Sequence, residues 1–528
     1  MDFQQLLESL PRKNGSLWWL EKGARAGRSY ATLYRDIQEV RQKLAGWGVT
    51  AGTRVGLYAP NSWQWLVHDL ALIDIGAVPV AFTDDFRNEI SQALLERYDI
   101  ELLLTVKIHA KCFPDKPTHI AFMDGENDDV RVMRRSNLPL ESRDPDELTW
   151  VFSSGSSGGL KGLVISREGV MATLPPIMDA AGLSRGDCFL LFLPLSNFQQ
   201  RYLFYGALWY DFDIALTDFM QLFGAIEKLR PTVLLAPPAF YQMFHAEHVN
   251  KPRWRRWWQD ALGTLLSAVP SAEVRRSLGR SIFRDFHEKF GHHTRMLVTG
   301  MAPIRPNVLQ LFDRMQMPLS EAYGMVEAGV MTFRRGQQKD HRSVGTPVRD
   351  VRFSFGDDGE IFVHRAHPVT LRYFQCAEGE NERTFVAPAT IATGDQGQLD
   401  AAGRLVIWGR KKEVIAMPSG EKIHPEIIER ELNGCPDIAN SVVFLGRGPY
   451  LSCIISLNNA QDIGAMERVR KLVSGLAATQ SAARFMSVVF APEAFSTENG
   501  MLRPNMKIDR RKIVAKYGAT GDSRSAHG

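Results

Sequence analysis

The spacing of hydrophobic residues in the first two thirds of the chain alternates between a helical and a strand pattern. From Tyr30 to about Gly46, apolar residues recur every three or four positions, which predicts an amphipathic helix. Compact apolar runs that predict buried strands alternate with further helical segments. These runs are Arg54 to Tyr58, Gly76 to Val80, Leu102 to Val106, Thr149 to Phe152, Cys188 to Leu193 and Thr232 to Leu235. Repeated βα units of this kind predict largely parallel sheets covered by helices.

The pattern changes after about residue 350, where short strands are separated by Gly and Asp turns. They indicate a small β-rich unit and lie at Arg352 to Phe355, Glu360 to Val363 and Arg404 to Ile407. A separate α+β domain is predicted beyond Gly409. Its elements are a helix from Pro425 to Leu432, strands at Ile438 to Leu445 and Leu451 to Leu457, and a helix near Ala465 to Gln480. Residues 518–528 are mostly small and polar, which favours a disordered tail.

Composition and charge exclude several classes of protein. A chain of 528 residues with 45% hydrophobic and 23% charged residues is typical of a globular protein with more than one domain. Lys and Arg number 63 against 59 for Asp and Glu, so charge does not indicate a nucleic-acid partner. Five scattered cysteines without a CxxC pair predict neither disulfides nor a zinc site, and they favour a cytoplasmic location. No uncharged apolar run reaches the roughly 18 residues that a transmembrane helix needs.

The segment from Phe152 to Gly162 carries the clearest chemistry. It follows a predicted strand and is rich in hydroxyls and glycines, through Ser153, Ser154, Gly155, Ser156, Ser157, Gly158 and Lys161. Glycines let backbone N–H groups approach phosphate oxygens, Ser hydroxyls add donors, and Lys161 adds a compact positive charge. The spacing is not that of a Walker A loop. Taken alone, the segment is either a polyphosphate-binding loop or a flexible connector.

Residues elsewhere in the chain distinguish these two interpretations. The loop resembles the signature T-S-G-T-T-G-x-P-K-G of the adenylate-forming superfamily, which comprises acyl- and aryl-CoA synthetases, adenylation domains of peptide synthetases and luciferases. Further family segments follow in the expected order, as Gly300-Met-Ala-Pro303, Tyr323-Gly-Met-Val-Glu327, Thr393-Gly-Asp395 and Gly409-Arg410. The segment Glu498 to Arg510 resembles the terminal signature of the long-chain acyl-CoA synthetase branch. The resemblance extends over about residues 29 to 515.

This resemblance implies a role for each matched residue. Lys507 is expected to bridge the carboxylate and the α-phosphate, Glu327 to hold Mg²⁺, and Lys161 to bind phosphate. Asp395 is expected to accept hydrogen bonds from the ribose hydroxyls. Besides Asp395, nucleotide contacts are expected from residues 153–158, Gly300, Ala302, Pro303, Tyr323, Gly324 and Arg410.

The resemblance also implies the fold class and the domain boundaries. It predicts an α/β protein whose large N-terminal AMP-binding domain, residues 1–409, has two αβ-layered subdomains and a β-rich subdomain at about 340–409. A hinge at 410–412, centred on Lys412, would join it to a mobile C-terminal α+β lid at 413–528. Ser419 and Gly420 would lie in the loop that reaches the thiol. The expected ligands are ATP, Mg²⁺, a carboxylic acid, and either CoA or the phosphopantetheine of an acyl carrier protein.

Five positions depart from the family pattern. Leu160 stands where the phosphate loop has Pro, Val326 where a Thr hydroxyl is usual, and Arg167 where a His is usual. In a segment that resembles P-L-x-H-x-x-E-R, Asn197 replaces His and Gln200 replaces Glu. ATP use remains the expectation, but ordinary fatty-acid specificity is in question.

One segment invites a different interpretation. Residues 251–258, Lys-Pro-Arg-Trp-Arg-Arg-Trp-Trp, mix cations with indoles, as segments at a membrane interface do. The sequence favours a surface helix with Trp packed inward and Arg outward. A peripheral membrane contact and a dock for an acidic carrier protein are the alternatives.

The sequence therefore predicts an enzyme, an AMP-forming acid–thiol ligase of the acyl-CoA synthetase type. It would activate a carboxylic acid as the acyl-adenylate, release pyrophosphate and transfer the acyl group to the thiol of CoA. Three alternatives stay open: a ligase that loads a biosynthetic acid onto carrier-protein phosphopantetheine, a non-catalytic nucleotide-binding scaffold, and an enzyme that passes the adenylate to another nucleophile.

Overall fold

The computed structural model describes residues 2–114, 117–125, 130, 132, 144–154, 160–336, 338, 341–418, 420–446, 450–479, 486–496, 498–502 and 508–518. The predicted tail lies, from residue 519 onward, outside these residues. The helices are α1 Phe3–Ser9, α2 Tyr30–Gly46, α3 Trp63–Ile75, α4 Gln92–Arg97, α5 Lys107–Ala110, α6 Arg167–Ala181, α7 Phe198–Tyr210, α8 Leu222–Leu229, α9 Pro238–Val249, α10 Arg253–Ser267, α11 Ala272–Ile282, α12 Arg284–Glu288, α13 Pro306–Arg314, α14 Glu380–Thr384, α15 Pro425–Leu432, α16 Ile463–Thr479 and α17 Arg510–Tyr517.

The strands complete the secondary structure. In chain order they are β1 Ser16–Glu21, β2 Ala24–Ser29, β3 Arg54–Tyr58, β4 Val78–Ala81, β5 Leu102–Thr105, β6 Ile120–Phe122, β7 Glu147–Ser154, β8 Leu160–Ser166, β9 Cys188–Leu191, β10 Asp213–Leu216, β11 Val233–Ala236, β12 Met296–Thr299, β13 Leu319–Met325, β14 Gly329–Arg334, β15 Thr346–Pro347, β16 Arg352–Phe355, β17 Glu360–His364, β18 Thr370–Phe374, β19 Phe385–Ala387, β20 Thr390–Leu399, β21 Leu405–Arg410, β22 Ile415–Ala416, β23 Lys422–Ile423, β24 Ile438–Leu445, β25 Leu451–Leu457 and β26 Met486–Phe490.

Local sequence explains where these elements begin and which face they bury. Helix α2 starts after Ser29, whose Oγ accepts a hydrogen bond from Thr32 N at 3.2 Å, as an N-cap residue does. Leu33 and Ile37 of α2 are buried, as their spacing predicts. The five residues of β3 are all buried, which explains why apolar and polar residues do not alternate along this strand.

Two large sheets form the N-terminal part of the protein. One has the strand order β18-β8-β7-β4-β3-β5-β6, and the other has the order β15-β14-β13-β12-β11-β9-β10-β1-β2. Pairing is parallel in the middle of both sheets and antiparallel towards the β18 end of the first and at both ends of the second. One hydrophobic core contains residues of both sheets, including Leu57 and Leu191, together with α3, α6 and α7.

Smaller sheets form the rest of the protein. Strands β16, β17, β19, β20 and β21 make the β-rich unit, while β24, β25 and β26 pack with α15, α16 and α17 around separate cores. The predicted α/β class with several sheets and a C-terminal α+β unit is confirmed. None of the helices in the described part of the chain has the length and hydropathy that crossing a bilayer requires.

The favoured interpretation of residues 251–258 is wrong in one respect. The segment does begin a surface helix, α10, but Trp254, Trp257 and Trp258 expose 61%, 62% and 54% of their surface instead of packing inward. Periodicity shows which residues share a helix face, but it does not show what that face contacts.

Candidate active site

Three segments that are far apart in sequence meet at Asp395. Tyr323 on β13 donates a hydrogen bond from Oη to Asp395 Oδ2 at 2.6 Å, and Arg410 Nε lies 2.6 Å from Asp395 Oδ1. Asp395 and Arg410 stand opposite each other on the antiparallel strands β20 and β21. Sheet pairing therefore brings together the T-G-D and G-R motifs, and the fold adds the tyrosine of a third motif. We call Tyr323, Asp395 and Arg410 the open triad.

Charge and burial set the protonation state of the open triad. The pKa of Tyr323 is raised well above its ordinary value because the phenol is buried and faces the Asp395 carboxylate. Burial alone would lower the pKa of Arg410, but Asp395 and other acidic neighbours together raise it above its ordinary value. Asp395 is buried, but the Arg410 side chain is half exposed. Since each carboxylate oxygen has two lone pairs, Asp395 can accept further hydroxyl donors.

The predicted adenine segment lies beside the open triad. Gly300, Ala302 and Pro303 follow β12, whose parallel neighbour β13 carries Tyr323. A Cβ atom on Gly300 would lie 2.8 Å from the carbonyl oxygen of Ala322. Only glycine allows this close approach of two backbones. The segment lies at the carboxyl end of parallel strands, where open α/β sheets bind their ligands.

Gly324, the residue after Tyr323, also lies where a side chain would not fit. A Cβ atom at Gly324 would lie 2.5 Å from the carbonyl oxygen of Gly329, on the neighbouring strand β14. The chain then turns, and Glu327 and Ala328 follow as buried residues before β14 begins. Glu327 therefore follows Tyr323 by only four residues, but after the turn its side chain contacts a different group of residues.

Glu327 and Lys161 meet in that second cluster through a tyrosine. Tyr373 Oη donates a hydrogen bond of 2.5 Å to Glu327 Oε1, and Lys161 Nζ lies 3.5 Å from the centroid of the Tyr373 ring. Lys161 Nζ also pairs with Glu380 Oε1 at 2.8 Å. The side chains of Glu327 and Lys161, both predicted to be catalytic, thus contact the same tyrosine. Lys161 also forms an ion pair with Glu380.

The electrostatics of this cluster favour a charged Glu380 and a neutral Tyr373. Burial and the adjacent Glu327 carboxylate raise the pKa of Tyr373. Partial burial alone would raise the pKa of Glu380, but the hydrogen bond and charge of Lys161, together with weaker contacts, lower it. A cation on an aromatic face gains about 0.5–2 kcal/mol in addition.

Several predicted site residues fall outside the described part of the chain. They are Gly155, Ser156, Ser157, Gly158, Ser419 and Lys507, together with the side chains of Ser153, Ser154 and Leu160. Residues that flank Lys507 are anchored: Leu502 pairs with Ile508 in an antiparallel bridge. Arg510 forms a bidentate ion pair with Glu429, with Nη1–Oε1 at 2.5 Å and Nη2–Oε2 at 2.9 Å.

The predicted hinge follows the open triad directly. Lys412 lies in the short 3₁₀ turn after Arg410. Arg410 N donates a hydrogen bond of 3.1 Å to Glu426 Oε1 in the first turn of α15, and burial raises the pKa of Glu426 to about 7. Gly420 lies in the turn between β22 and β23, where its N donates to the carbonyl oxygen of Met417 at 2.9 Å.

Arg305 joins the large N-terminal part to the C-terminal sheet. It donates from Nη2 to Asn440 Oδ1 at 2.9 Å and from Nη1 to the carbonyl oxygen of Ile438 at 3.4 Å, and it also contacts the carbonyl oxygen of Ala439. Burial lowers the pKa of Arg305 to about 10. Arg305 thus contacts the C-terminal unit through both its backbone and the Asn440 side chain.

Residues 16–367 match the family model described as AMP-binding enzyme, and the match extends over more than half of the chain. The chain belongs to the AMP-binding enzyme family. The long-chain-fatty-acid–CoA ligase FadD15 of Mycobacterium bovis is 24% identical over 92% of this chain and 90% of that protein. The long chain acyl-CoA synthetase 7 of Arabidopsis thaliana, a peroxisomal protein, is 24% identical over 93% of this chain and 80% of that protein. The solved structure of the anthranilate CoA ligase AuaEII matches with a TM-score of 0.76 at 16% identity, over 98% of both chains.

These findings confirm the resemblance and the enzyme class that the sequence predicts. This AMP-binding enzyme is an AMP-forming acid–thiol ligase, which uses ATP to activate a carboxylic acid as its adenylate and then transfers the acyl group to a thiol. The carrier-loading and scaffold alternatives are not favoured. The roles of individual residues stay predictions.

The departures from the family pattern occupy different environments in this AMP-binding enzyme. The Val326 carbonyl oxygen accepts a hydrogen bond of 3.1 Å from Thr370 Oγ1. The Thr370 hydroxyl therefore lies close to residue 326, where the family pattern has a Thr. Arg167 begins α6, and burial lowers its pKa. Asn197 is exposed at the start of α7, whereas Gln200 is fully buried and its amide has no hydrogen-bond partner among the described residues.

Sequence reasoning missed Tyr373, Glu380 and Arg305. Tyr373 reaches Lys161 because β18 pairs with β8, two strands about 200 residues apart in the chain. Glu380 follows on α14, whose position depends on that pairing. The sequence analysis predicted no strand at Thr370–Phe374, and nothing in the sequence indicated its neighbour.

Proposed function

We propose that this AMP-binding enzyme converts a long-chain fatty acid, ATP and CoA to the fatty acyl-CoA, AMP and pyrophosphate. The two relatives are named as a long-chain-fatty-acid–CoA ligase and a long chain acyl-CoA synthetase, and their similarity extends over nearly the whole of this chain. Their names therefore support a long-chain fatty acid and CoA as substrates. The single observation that carries the proposal is the open triad, in which Tyr323, Asp395 and Arg410 come together from three separate motifs. A chain that resembled the family only in separate local segments would not be expected to bring these three residues into contact.

In the proposed site, the open triad binds the nucleoside. Asp395 accepts hydrogen bonds from the ribose hydroxyls, and Arg410 orients the carboxylate through their ion pair. The backbone at Gly300, Ala302 and Pro303 forms the wall that the adenine contacts, next to Tyr323. A side chain at Gly300 would collide with the carbonyl oxygen of Ala322, so the glycine allows these two backbone segments to lie close together.

Lys161, Glu327 and residues 153–158 would bind the phosphates. Among the described residues, no group of three or more His, Cys, Asp or Glu is arranged to hold a metal ion. Mg²⁺ is usually held by one or two carboxylates together with substrate phosphates and water, so the lone Glu327 carboxylate fits this ion. Bound there, Mg²⁺ would neutralise phosphate charge while Glu327 stays oriented by Tyr373.

Lys507 would stabilise the charge that develops between the carboxylate and the α-phosphate. The proposal includes an N-terminal domain at 1–409, a hinge at 410–412 with Lys412, and a lid at 413–528 that exchanges Lys507 for the loop at Ser419 and Gly420. Arg510 would position Lys507 through Glu429, since their bidentate contact fixes the chain three residues beyond the lysine. A cytoplasmic location is also part of the proposal, in keeping with five free cysteines.

The first test is pyrophosphate release by the full chain with ATP and Mg²⁺, screened over short, medium, long-chain and aromatic acids. Long-chain acids should stimulate release most, and addition of CoA should give the thioester. Stimulation by aromatic acids alone would overturn the proposed acid, and thioester formation only with a phosphopantetheinylated carrier protein would overturn the proposed thiol.

The role of Lys507 has a separate test. Lys507→Ala should lower adenylation on the order of a hundredfold while transfer from preformed acyl-adenylate to CoA stays nearly unchanged. Lys512→Ala is the matched control, because Lys512 is an exposed lysine of the same region on α17. Equal losses in both half-reactions would show that Lys507 does not act in adenylation alone.

A further inference from the structure

Helix α10 turns its apolar face towards solvent. Trp254, Trp257, Trp258, Ala261 and Leu265 are spaced as one helical stripe, and all five are exposed. In a surface helix such a stripe normally faces the core. Here the core side of α10 consists of Gly263 and Leu266, the buried residues of the helix.

Gly263 fixes the orientation of α10. A Cβ atom on Gly263 would lie 2.7 Å from the carbonyl oxygen of Arg314, so the helix lies against the end of α13 at this point. At 100° per residue, Gly263 is half a turn from the centre of the tryptophan stripe. The tryptophans therefore point away from the body of the protein.

The neighbouring helix α11 is built in the same way. Its buried residue Gly279 lies against Gln316, two residues beyond the segment that Gly263 contacts, with a Cβ distance of 2.6 Å. Val274, Leu278 and Ile282, spaced four residues apart, are exposed. Both helices bury a glycine against residues 314–316, and each keeps an apolar stripe exposed to solvent. We call α10 and α11 together the indole surface.

The charge of the indole surface is positive. Residues 251–282 contain seven Lys and Arg but only two acids, Asp260 and Glu273. Asp260 lies off the stripe and pairs with Arg314 Nη1 at 3.2 Å, so it does not offset the exposed cations. The Arg255 guanidinium lies 5.2 Å from the centroid of the Trp254 ring, which places a cation at the edge of the apolar stripe.

We propose that the indole surface docks on an anionic phospholipid bilayer. Tryptophan favours the headgroup region, where its ring meets both apolar and polar surroundings, and Arg binds lipid phosphate. Each Lys or Arg near an anionic leaflet contributes about 1 kcal/mol of attraction. The surface offers both components side by side on two helices. This inference concerns a surface outside the proposed active site and does not depend on which acid the enzyme uses.

An acidic protein partner fits the same surface less well. Carboxylates on such a partner would pair with the arginines but would leave three indoles and the α11 stripe in a polar interface. A bilayer accepts the cations at its phosphates and the aromatic and aliphatic side chains just below them. The observed combination therefore favours lipid.

The test is sedimentation of the full chain with vesicles of phosphatidylcholine, with and without phosphatidylglycerol. Wild-type protein should bind the mixed vesicles at least tenfold more tightly than the neutral ones at low salt. Trp254→Ala, Trp257→Ala and Trp258→Ala combined should weaken binding to both vesicles roughly tenfold or more. Arg253→Gln with Arg255→Gln should weaken binding to the mixed vesicles alone, again roughly tenfold.

A matched control removes three exposed apolar side chains from other surfaces, with Ile108→Ala, Val386→Ala and Ile463→Ala combined. It should bind vesicles as the wild type does. The tryptophan variant should retain its unfolding temperature and its pyrophosphate release, which shows that loss of vesicle binding is not loss of the fold.

Three results would overturn the proposal. The first is that the wild type binds neither kind of vesicle, and the second is that the wild type and the tryptophan variant bind vesicles equally. The third is that the tryptophan changes abolish self-association, or binding to a purified acidic carrier protein, while vesicle binding persists. None of these results bears on the proposed ligase reaction, which is measured without membranes.

Discussion

The enzyme contains two triads of the same composition in different surroundings. In the open triad, Tyr323 and Arg410 contact the two carboxylate oxygens of Asp395, both at 2.6 Å. In a second triad between α3 and α7, Tyr205 Oη lies 2.6 Å from Asp69 Oδ2 and Arg201 Nη1 lies 2.8 Å from Asp69 Oδ1. We call this second group the sealed triad.

Solvent access separates the two triads. Asp69, Arg201 and Tyr205 are fully buried, and Arg201 uses Nη2 to donate to Thr149 Oγ1 at 2.8 Å. Burial raises the pKa of Asp69, although Arg201 opposes this. Arg410, by contrast, is half exposed. The same three residue types thus hold the fold together where water is excluded, and under the proposed function they bind the nucleoside where one side stays accessible.

The largest expected effect comes from breaking the sealed triad. Arg201→Met should lower the free energy of unfolding by about 3–5 kcal/mol, because Asp69 would remain buried without a counter-charge. The matched change Arg410→Met should cost less than about 1 kcal/mol, since that pair is partly solvated. Urea unfolding followed by circular dichroism measures both. Equal losses would show that accessibility does not distinguish the triads.

Breaking the open triad should affect activity instead of stability. Asp395→Asn should lower kcat/KM for adenylation roughly tenfold to hundredfold, as expected when a charged hydrogen-bond acceptor of about 1.5–3 kcal/mol is lost. Pyrophosphate release gives the rate. Asp400→Asn, in the exposed turn after β20, is the control and should leave the rate unchanged. A similar loss in the control would point to a general disturbance of the β-rich unit.

The carboxyl group of Glu426, beside the open triad, should make the stability of the protein depend on pH. Burial raises the pKa of Glu426 to about 7. The fold therefore favours protonated Glu426, and the stability from this group is full below about pH 4.5 and is lost as pH rises through 7. The free energy of unfolding should fall by about 3 kcal/mol over that interval.

Glu426→Gln should remove this part of the pH dependence. Glu431→Gln, an exposed position on the same helix, should keep it. Unfolding midpoints measured from pH 5 to pH 8 distinguish the two variants. A slope that persists in Glu426→Gln would assign the effect to another group.

The smallest effect is expected next to the sealed triad. Gln200 precedes Arg201 and is fully buried, with neither amide atom hydrogen-bonded within the described part of the chain. Gln200→Met keeps the volume and removes two unsatisfied polar groups, so stability should stay the same or rise by up to about 1 kcal/mol. A loss of more than about 1.5 kcal/mol, again in urea, would mean that the amide has a bound water or ligand as its partner.

Local patterns predicted the elements better than they predicted the contacts. The bounds of α2, α15, β3, β24 and β25 agree with the sequence, because each is set by spacing or capping within the element itself. Motif order identified Asp395 and Arg410, and sheet register then joined them. The pairing of β18 with β8 and the outward face of α10 depend on distant parts of the chain, and no local pattern encodes them.

The ion pair between Lys161 and Glu380 has a consequence for turnover. Under the proposed role, ATP must displace Glu380 from Lys161, and the carboxylate can take the lysine back when pyrophosphate leaves. The lysine then exchanges one anion for another. Without Glu380, the buried charge would have no carboxylate partner when pyrophosphate leaves, and it would hold the product more tightly. Glu380 would in this way trade some affinity for nucleotide against faster product release, and it would keep product inhibition weak.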